Sequence, residues 1–315
     1  MDDIILRLEG LTKRYGALTA VTDLDLEIYA GEILGFLGPN GAGKTTSINM
    51  MSGLLRPDDG RVILRGVPIT VSSEEVRSRI GYCPQEVALW GRLNCAEQLQ
   101  FMAMMHGLKR AKAREASHHL LETFELIESR GKQARKLSGG MQRRLNVAMS
   151  LVHDPDIVFL DEPEIGLDPQ SRIMVREYIR GLAGSKTIIL TTHNMDEADR
   201  LSDRVAIIDH GALIALGTPE ELKRSIGAED VLEIEVTSTP SDMTALQKRI
   251  EDLGCQVELA PSDGALFMRG REVISQLPSI VDTLNRTGLR FGEIRVRQTT
   301  LEDVFIHLTG RRLRE

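Results

Sequence analysis

Glu32-Ile33-Leu34-Gly35-Phe36-Leu37-Gly38-Pro39-Asn40-Gly41-Ala42-Gly43-Lys44-Thr45-Thr46-Ser47-Ile48 is the stretch on which the reading of this chain turns. A short apolar run, read as a strand, enters a glycine-rich segment, and residues able to start a helix follow it. Residues 38–45 match G-x-x-x-x-G-K-[ST], and the flanking strand and helix are the context that gives the pattern meaning. Its glycines let backbone N–H groups curl around phosphate oxygens, and the helix N-terminus adds a favourable dipole. Lys44 is placed to reach the outer phosphates of a nucleotide, and Thr45 to ligate Mg2+. A glycine turn without a ligand is the plainer alternative, and the correct flanks weigh against it.

Two more segments extend this picture. Asp161-Glu162 follows the apolar run Ile157-Val158-Phe159-Leu160, so a buried strand delivers two carboxylates to its carboxyl edge, where ligands of open α/β sheets bind. Asp161 is the candidate Mg2+ holder and Glu162 the candidate that polarises an attacking water. A lone acidic pair could equally be a solvated strand end; next to a phosphate loop it reads as chemistry. Leu137-Ser138-Gly139-Gly140-Met141-Gln142 opens a helix whose apolar face is Leu145, Ala148, Met149 and Val152. Ser138 suits its N-cap, and the glycines expose N–H groups. On these residues alone a capped helix start and an anion cradle both stand.

The rest of residues 1 to about 220 fits one α/β domain. Ile4–Leu8 and Leu24–Ile28 alternate as strands, with Gly10, Gly16 and Gly31 as expected breaks. Arg61–Leu64, Asp156–Leu160, Lys186–Leu190 and Val205–Asp209 are short apolar runs, the last three with the near-continuous character of buried parallel strands. Residues 92–130, rich in Ala, Leu, Met, Glu and Gln and without proline, read as helices. A second unit starts near 229. Val231–Val236, Gln256–Leu259, Ala265–Met268 and Phe291–Val296 read as strands, Ser241–Leu253 and Glu272–Asn285 as helices, and Pro261–Gly264 as a turn. The order β-α-β-β-α-β is that of a ferredoxin-like plait.

The chain has 315 residues, room for about two domains. Its 39 Lys and Arg against 46 Asp and Glu give a formal net charge of −7, which argues against a nucleic-acid partner. Cys83, Cys95 and Cys255 are too few and too scattered for a disulfide framework or a Cys metal site, so a reducing compartment is expected. There is no signal-peptide core at the start and no apolar run approaching the ~18 residues of a membrane span. Met102, Met104 and Met105 read as helix packing, His118-His119 as a solvated helix face, and Arg311, Arg312 and Arg314 as a solvated tail.

Taken in chain order, these motifs resemble the ATPase subunit of an ATP-binding cassette (ABC) transporter. The match runs through Tyr15, the phosphate loop, Gln85 in Gly81-Tyr82-Cys83-Pro84-Gln85, Leu137-Ser138-Gly139-Gly140, Asp161-Glu162-Pro163, Gly166-Leu167-Asp168-Pro169 and His193 in Thr191-Thr192-His193. It covers residues 4 to about 222. The ending, Thr299 to Gly310, resembles the C-terminal extension of exporter ATPases of the daunorubicin-resistance type.

The resemblance implies a P-loop ATPase cassette over 1–222, with a helical subdomain over about 87–150, and a ferredoxin-like accessory domain over 229–315. It implies ATP and Mg2+ as ligands. Tyr15 would stack on adenine, although by spacing it is only an aromatic in a turn. Gly38, Pro39, Asn40, Gly41, Ala42, Gly43, Lys44, Thr45 and Thr46 would hold phosphates; Thr45, Gln85 and Asp161 would hold the metal. Glu162, His193 and Gln85 would be catalytic, His193 contacting the γ-phosphate, although alone it reads as a polar strand cap. Ser138, Gly139, Gly140 and Asp168 would act across a dimer, on ATP held by the partner's phosphate loop. The implied function is ATP-driven efflux of a drug, antibiotic or similar molecule. Partners would be a second cassette, as a homodimer, and integral-membrane permease subunits, at the cytoplasmic face of the membrane. An importer ATPase and a soluble non-transport ABC ATPase are the alternatives; the ending argues against the first, the single cassette against the second.

Two residues stand apart. Glu164 occupies the position after Asp-Glu-Pro where the family has a small hydroxyl residue, and would bring a negative charge near bound polyphosphate. Trp90, the only tryptophan, either packs into the cassette core or lines a groove for a helix of the membrane subunit.

Overall fold

The computed structural model describes residues 3–69, 74–226, 230–236, 246, 248–250, 255–260, 265–270, 273–286 and 289–310. The described residues divide into two units, one up to Pro219 and one from Glu220 onward.

The first unit runs β1 (Ile4–Tyr15), β2 (Leu18–Tyr29), β3 (Ile33–Leu37), α1 (Lys44–Met51), β4 (Asp59–Leu64), β5 (Val67–Pro68), α2 (Glu74–Arg79), β6 (Ile80–Cys83), α3 (Cys95–Met105), α4 (Arg110–Thr123), α5 (Gly139–Leu151), β7 (Ile157–Asp161), α6 (Pro169–Leu182), β8 (Thr187–Thr192), α7 (Met195–Leu201), β9 (Arg204–Asp209) and β10 (Ala212–Gly217). A six-stranded sheet has the order β10-β9-β3-β8-β7-β6. All its pairs are parallel except the β9–β10 edge. A second, antiparallel sheet has the order β2-β1-β4-β5.

The apolar runs are continuous because both sheet faces are covered. Successive residues of one strand enter different cores. Val158 and Leu160 join a core with α3, α4, α5 and α6, while Ile157 and Phe159 join one with β1, β2 and α1. Burying each such side chain stabilises the fold by about 1.5–3 kcal/mol before entropy. This two-sided packing brings the carboxyl ends of β3, β7 and β8 together at one edge.

Gly10 does not end a strand. It sits at φ 58 inside β1, and the pairing with β2 and β4 shifts register there, so the break expected from the glycine is a bulge. The strands β6 and β10 carry weak patterns and were not expected. The 92–130 stretch holds α3 and α4, parted at Gly107, whose φ is 88, and a short 3-10 turn at Ile127–Ser129.

The second unit includes β11 (Asp230–Val236), β12 (Cys255–Ala260), β13 (Ala265–Gly270), α9 (Val273–Arg286), β14 (Phe291–Gln298) and α10 (Leu301–Thr309), with α8 (Pro219–Ser225) at its start. Residues 246 and 248–250 are helical. The antiparallel sheet order β12-β13-β11-β14 is the split arrangement expected of a β-α-β-β-α-β plait. Leu232, Ile234, Leu246, Ile250, Leu266, Ile280 and Leu284 form its core. The expected turn at 261–264 and the tail arginines Arg311, Arg312 and Arg314 lie outside the described residues. Helix α10 was not expected as an element. A Thr300/Asp303 capping box starts it and Gly310, at φ 70, ends it.

Candidate active site

The phosphate loop leaves β3 and turns into α1 through two positions that only glycine fits. A Cβ on Gly38 would lie 2.2 Å from the Ile208 carbonyl, and one on Gly43, at φ 102, would lie 2.4 Å from the Ala20 carbonyl. Gly43 is also the α1 N-cap and offers no side-chain acceptor, so the first-turn N–H groups face outward as an anion site. Lys44, 6% exposed, donates to the carbonyls of Gly38 (2.7 Å) and Pro39 (3.1 Å). Burial holds its pKa below the ordinary lysine value, against the pull of Glu162 and Asp161.

Glu162 stands at the centre. Its backbone is left-handed, φ 48, a conformation that costs a non-glycine residue on the order of 1–3 kcal/mol. Its N–H donates to the carbonyl (3.2 Å) and hydroxyl (3.0 Å) of Thr191. Its carboxylate, buried, lies 3.8 Å from Lys44 Nζ, 3.1 Å from His193 Nδ1 and 3.3 Å from Gln85 Nε2. Gln85 and His193 are themselves exposed, so this carboxylate is reached from the solvent side through groups that hydrogen-bond it.

Beside it, Asp161 Oδ1 accepts from Thr191 and, at 3.4 Å, from Thr45. Asp161 Oδ2 is buried without a hydrogen-bond partner among the described residues. A hydroxyl, a carboxylate with an unpaired oxygen and the amide oxygen of Gln85 are hard donors of the kind Mg2+ takes together with phosphate oxygens and water, so the residues present fit that ion.

A second group forms at the start of α5. Ser138 accepts from Met141 N–H at 3.3 Å and caps the helix, as its position suggested. Asp168 caps α6 through Ser171 N–H (3.0 Å) and Ser171 Oγ (2.7 Å), which keeps its carboxylate below the usual range. A Cβ on Gly140 would lie 3.3 Å from Asp168 Oδ2, so these two motifs adjoin. Tyr15 is half exposed at the end of β1, with Lys13 Nζ 5.8 Å from its ring centre.

This arrangement has relatives. The ABC transporter family model matches residues 21–164. The chain is 37% identical over 326 residues to daunorubicin resistance ATP-binding protein DrrA3 of Streptomyces coeruleorubidus, covering 100% of this chain and 99% of that protein. This chain belongs to the ABC transporter family. It is also 42% identical to Nod factor export ATP-binding protein I of Ralstonia nicotianae, across 99% of this chain and 95% of the relative. A solved structure described as an ATP binding subunit of an ABC transporter matches with a TM-score of 0.66 at 28% identity, over 71% of this chain and 93% of that one. The membership of the ABC transporter family expected from the motifs is borne out.

Several residues of this candidate site were not singled out beforehand. Thr191 ties Asp161 to Glu162, and only its place beside His193 hinted at it. Arg143 is buried on α5 and donates to five carbonyls. Its signal was a charge at the helix spacing of the buried Val147 and Ser150. Glu164 is buried too. Arg176 pairs with it through two bonds, at 3.0 and 2.7 Å, with Arg172 at 3.7 Å, so its charge is matched locally rather than presented to polyphosphate.

Proposed function

We propose that this chain is the ATP-hydrolysing subunit of an exporter, driving efflux of a drug, antibiotic or similar small molecule through separate membrane subunits. The observation that carries the reading is Glu162, a buried carboxylate held between Lys44, Gln85 and His193 beside Thr45 and Asp161. The whole-length relatives, one named for daunorubicin resistance and one for Nod factor export, support the exporter class. No helix among the described residues is long and apolar enough to cross a membrane, so transport needs permease subunits from elsewhere. Those would hold the chain at the cytoplasmic face.

In this reading residues 38–46 bind the phosphates and Tyr15 stacks on adenine. Thr45, Asp161 and Gln85 would hold Mg2+, which would neutralise phosphate charge when bound. Glu162 accepts the proton of the attacking water, and preorganised contacts to His193 and Gln85 fix its direction. His193 also contacts the γ-phosphate. Ser138, Gly139, Gly140 and Asp168, on their separate patch, complete the site of a second copy in a homodimer.

Glu162→Gln keeps the shape and removes the base. Expected is normal ATP binding, a turnover loss of about 10²–10⁴-fold and an ATP-bound dimer on size-exclusion chromatography. Near-normal hydrolysis would remove Glu162 from this role.

A further inference from the structure

We propose that Arg143 is the positioning residue that fixes Gln85 and Glu162 relative to each other, and thereby sets the rate of hydrolysis. This rests on Glu162 being the base. Arg143 is 2% exposed, yet among the described residues its guanidinium has no carboxylate partner. It is satisfied by main chain alone. Nε donates to the carbonyl of Pro163 at 3.1 Å. Nη1 donates to Pro84 at 2.7 Å and Gln85 at 2.8 Å. Nη2 donates to Asp161 at 2.7 Å and Glu162 at 2.6 Å. A guanidinium has five N–H donors in a rigid planar fork, and all five are used.

The acceptors fall in two groups. Asp161, Glu162 and Pro163 are consecutive, at the point where β7 ends and the backbone turns left-handed at Glu162. Three successive carbonyls turned toward one cation hold that turn, and the turn sets where the Glu162 carboxylate points. Pro84 and Gln85 belong to the loop that leaves β6. The two segments are bound to opposite sides of one flat group, and their side chains then meet at 3.3 Å. The Pro84 loop is further tied to the same helix by Asn146, one turn on, whose Nδ2 donates to the Pro84 carbonyl at 3.4 Å. The phosphate loop receives none of these bonds. Arg143 therefore bears first on the geometry of hydrolysis, and on nucleotide affinity only through the backbones of Asp161 and Gln85. Because α5 also starts at Ser138-Gly139-Gly140, any shift of that helix moves the fork that holds Glu162.

The test uses the full-length chain with Arg143→Gln and Arg143→Lys. Lysine keeps the charge but has three donors on one atom and cannot span both segments. Turnover, ATP affinity by a fluorescent nucleotide analogue, and thermal midpoint are measured for each. Expected is a fall in kcat of about 10²-fold, the scale of a small misplacement of a reacting group, with ATP affinity within about twofold of wild type. In a Glu162→Gln background, under single-turnover conditions, Arg143→Gln should add little further loss, as for residues acting as one unit. A folded variant with kcat within about threefold of wild type overturns the proposal. So does a loss that multiplies in full with that of Glu162→Gln, or affinity falling in step with turnover. If Arg143→Gln does not fold, Arg143→Lys is judged by the same criteria; if neither folds, the role is structural and the proposal fails. An active Glu162→Gln chain would instead sink the base assignment, so the two failures are distinct.

Discussion

The Glu164 carboxylate and the Arg176 guanidinium lie in a two-bond fork, and Glu197, buried nearby, accepts a hydrogen bond from Thr192. Burial, and then the charge of Glu164, push the Glu197 pKa up to about 8. A histidine shows the opposite case. His153 stacks on His106 with ring centres 3.7 Å apart, and its Nε2 meets the Ile80 carbonyl at 3.1 Å. Burial, and then His106, depress its pKa to about 4. Lys186 lowers it further, and Asp154 and the Ile80 carbonyl oppose. Between its folded value and the unfolded value near ~6.5, the unfolded chain binds the proton and the folded chain does not. This contribution to stability is therefore complete above about pH 6.5 and is lost as pH falls toward 4. His153→Gln should show a smaller drop in thermal midpoint between pH 7 and pH 5 than the wild type. An equal drop would place the acid sensitivity elsewhere. Neither the stack nor the Glu164 fork is visible in sequence, because each partner lies on a different element.

At the scale of elements, the segment from Gln85 into α3 carries an apolar surface. Trp90 is 45% exposed and meets Phe101 edge-on, with ring centres 5.1 Å apart and planes at 87°. Its backbone N–H donates to Gln98, and Asn94 with Glu97 caps the helix beyond it. Of the two readings open from the sequence, core packing does not describe a side chain so exposed. Truncation should remove about 0.5–1.5 kcal/mol for the aromatic pair rather than the ~3–5 kcal/mol of a buried tryptophan. Trp90→Ala should leave the midpoint of the free subunit nearly unchanged and, if the proposed function holds, weaken co-purification with a membrane partner. A sharp fall in that midpoint would refute the docking role. Met104 and Met105 are exposed on the same helix, so their expected packing role does not hold either.

At the scale of the whole molecule, the phosphate-loop cluster and the Ser138–Asp168 cluster are built on different helix starts, and in the proposed function each would supply half of a site. If two copies complete each other, two inactive variants should rescue one another. Lys44→Ala removes phosphate binding; Ser138→Arg blocks the other patch and costs about 1 kcal/mol for the lost cap. Mixed in equal amounts, half the dimers are hybrids with one intact site in two, so activity should return to about a quarter of wild type. Activity no higher than the sum of the separate variants would contradict the composite site.

The phosphate loop, the acidic strand end and the four strands of the second unit were legible in the sequence because each depends on contiguous residues. A glycine that must approach Ile208 O, a serine that must cap a helix and an apolar run buried on both faces are local demands that leave local patterns. Tertiary structure decided what contiguous patterns do not encode. Gly10 became a bulge because β1 pairs with a strand on each side. Glu164 lost its expected field because α6 brings Arg176 against it. Glu162 acquired its neighbours from β6, α1 and the end of β8, and its backbone is held by Arg143 on α5. Those partners lie tens of residues away, and only the closing of the sheet and helices around one edge places them within hydrogen-bond distance.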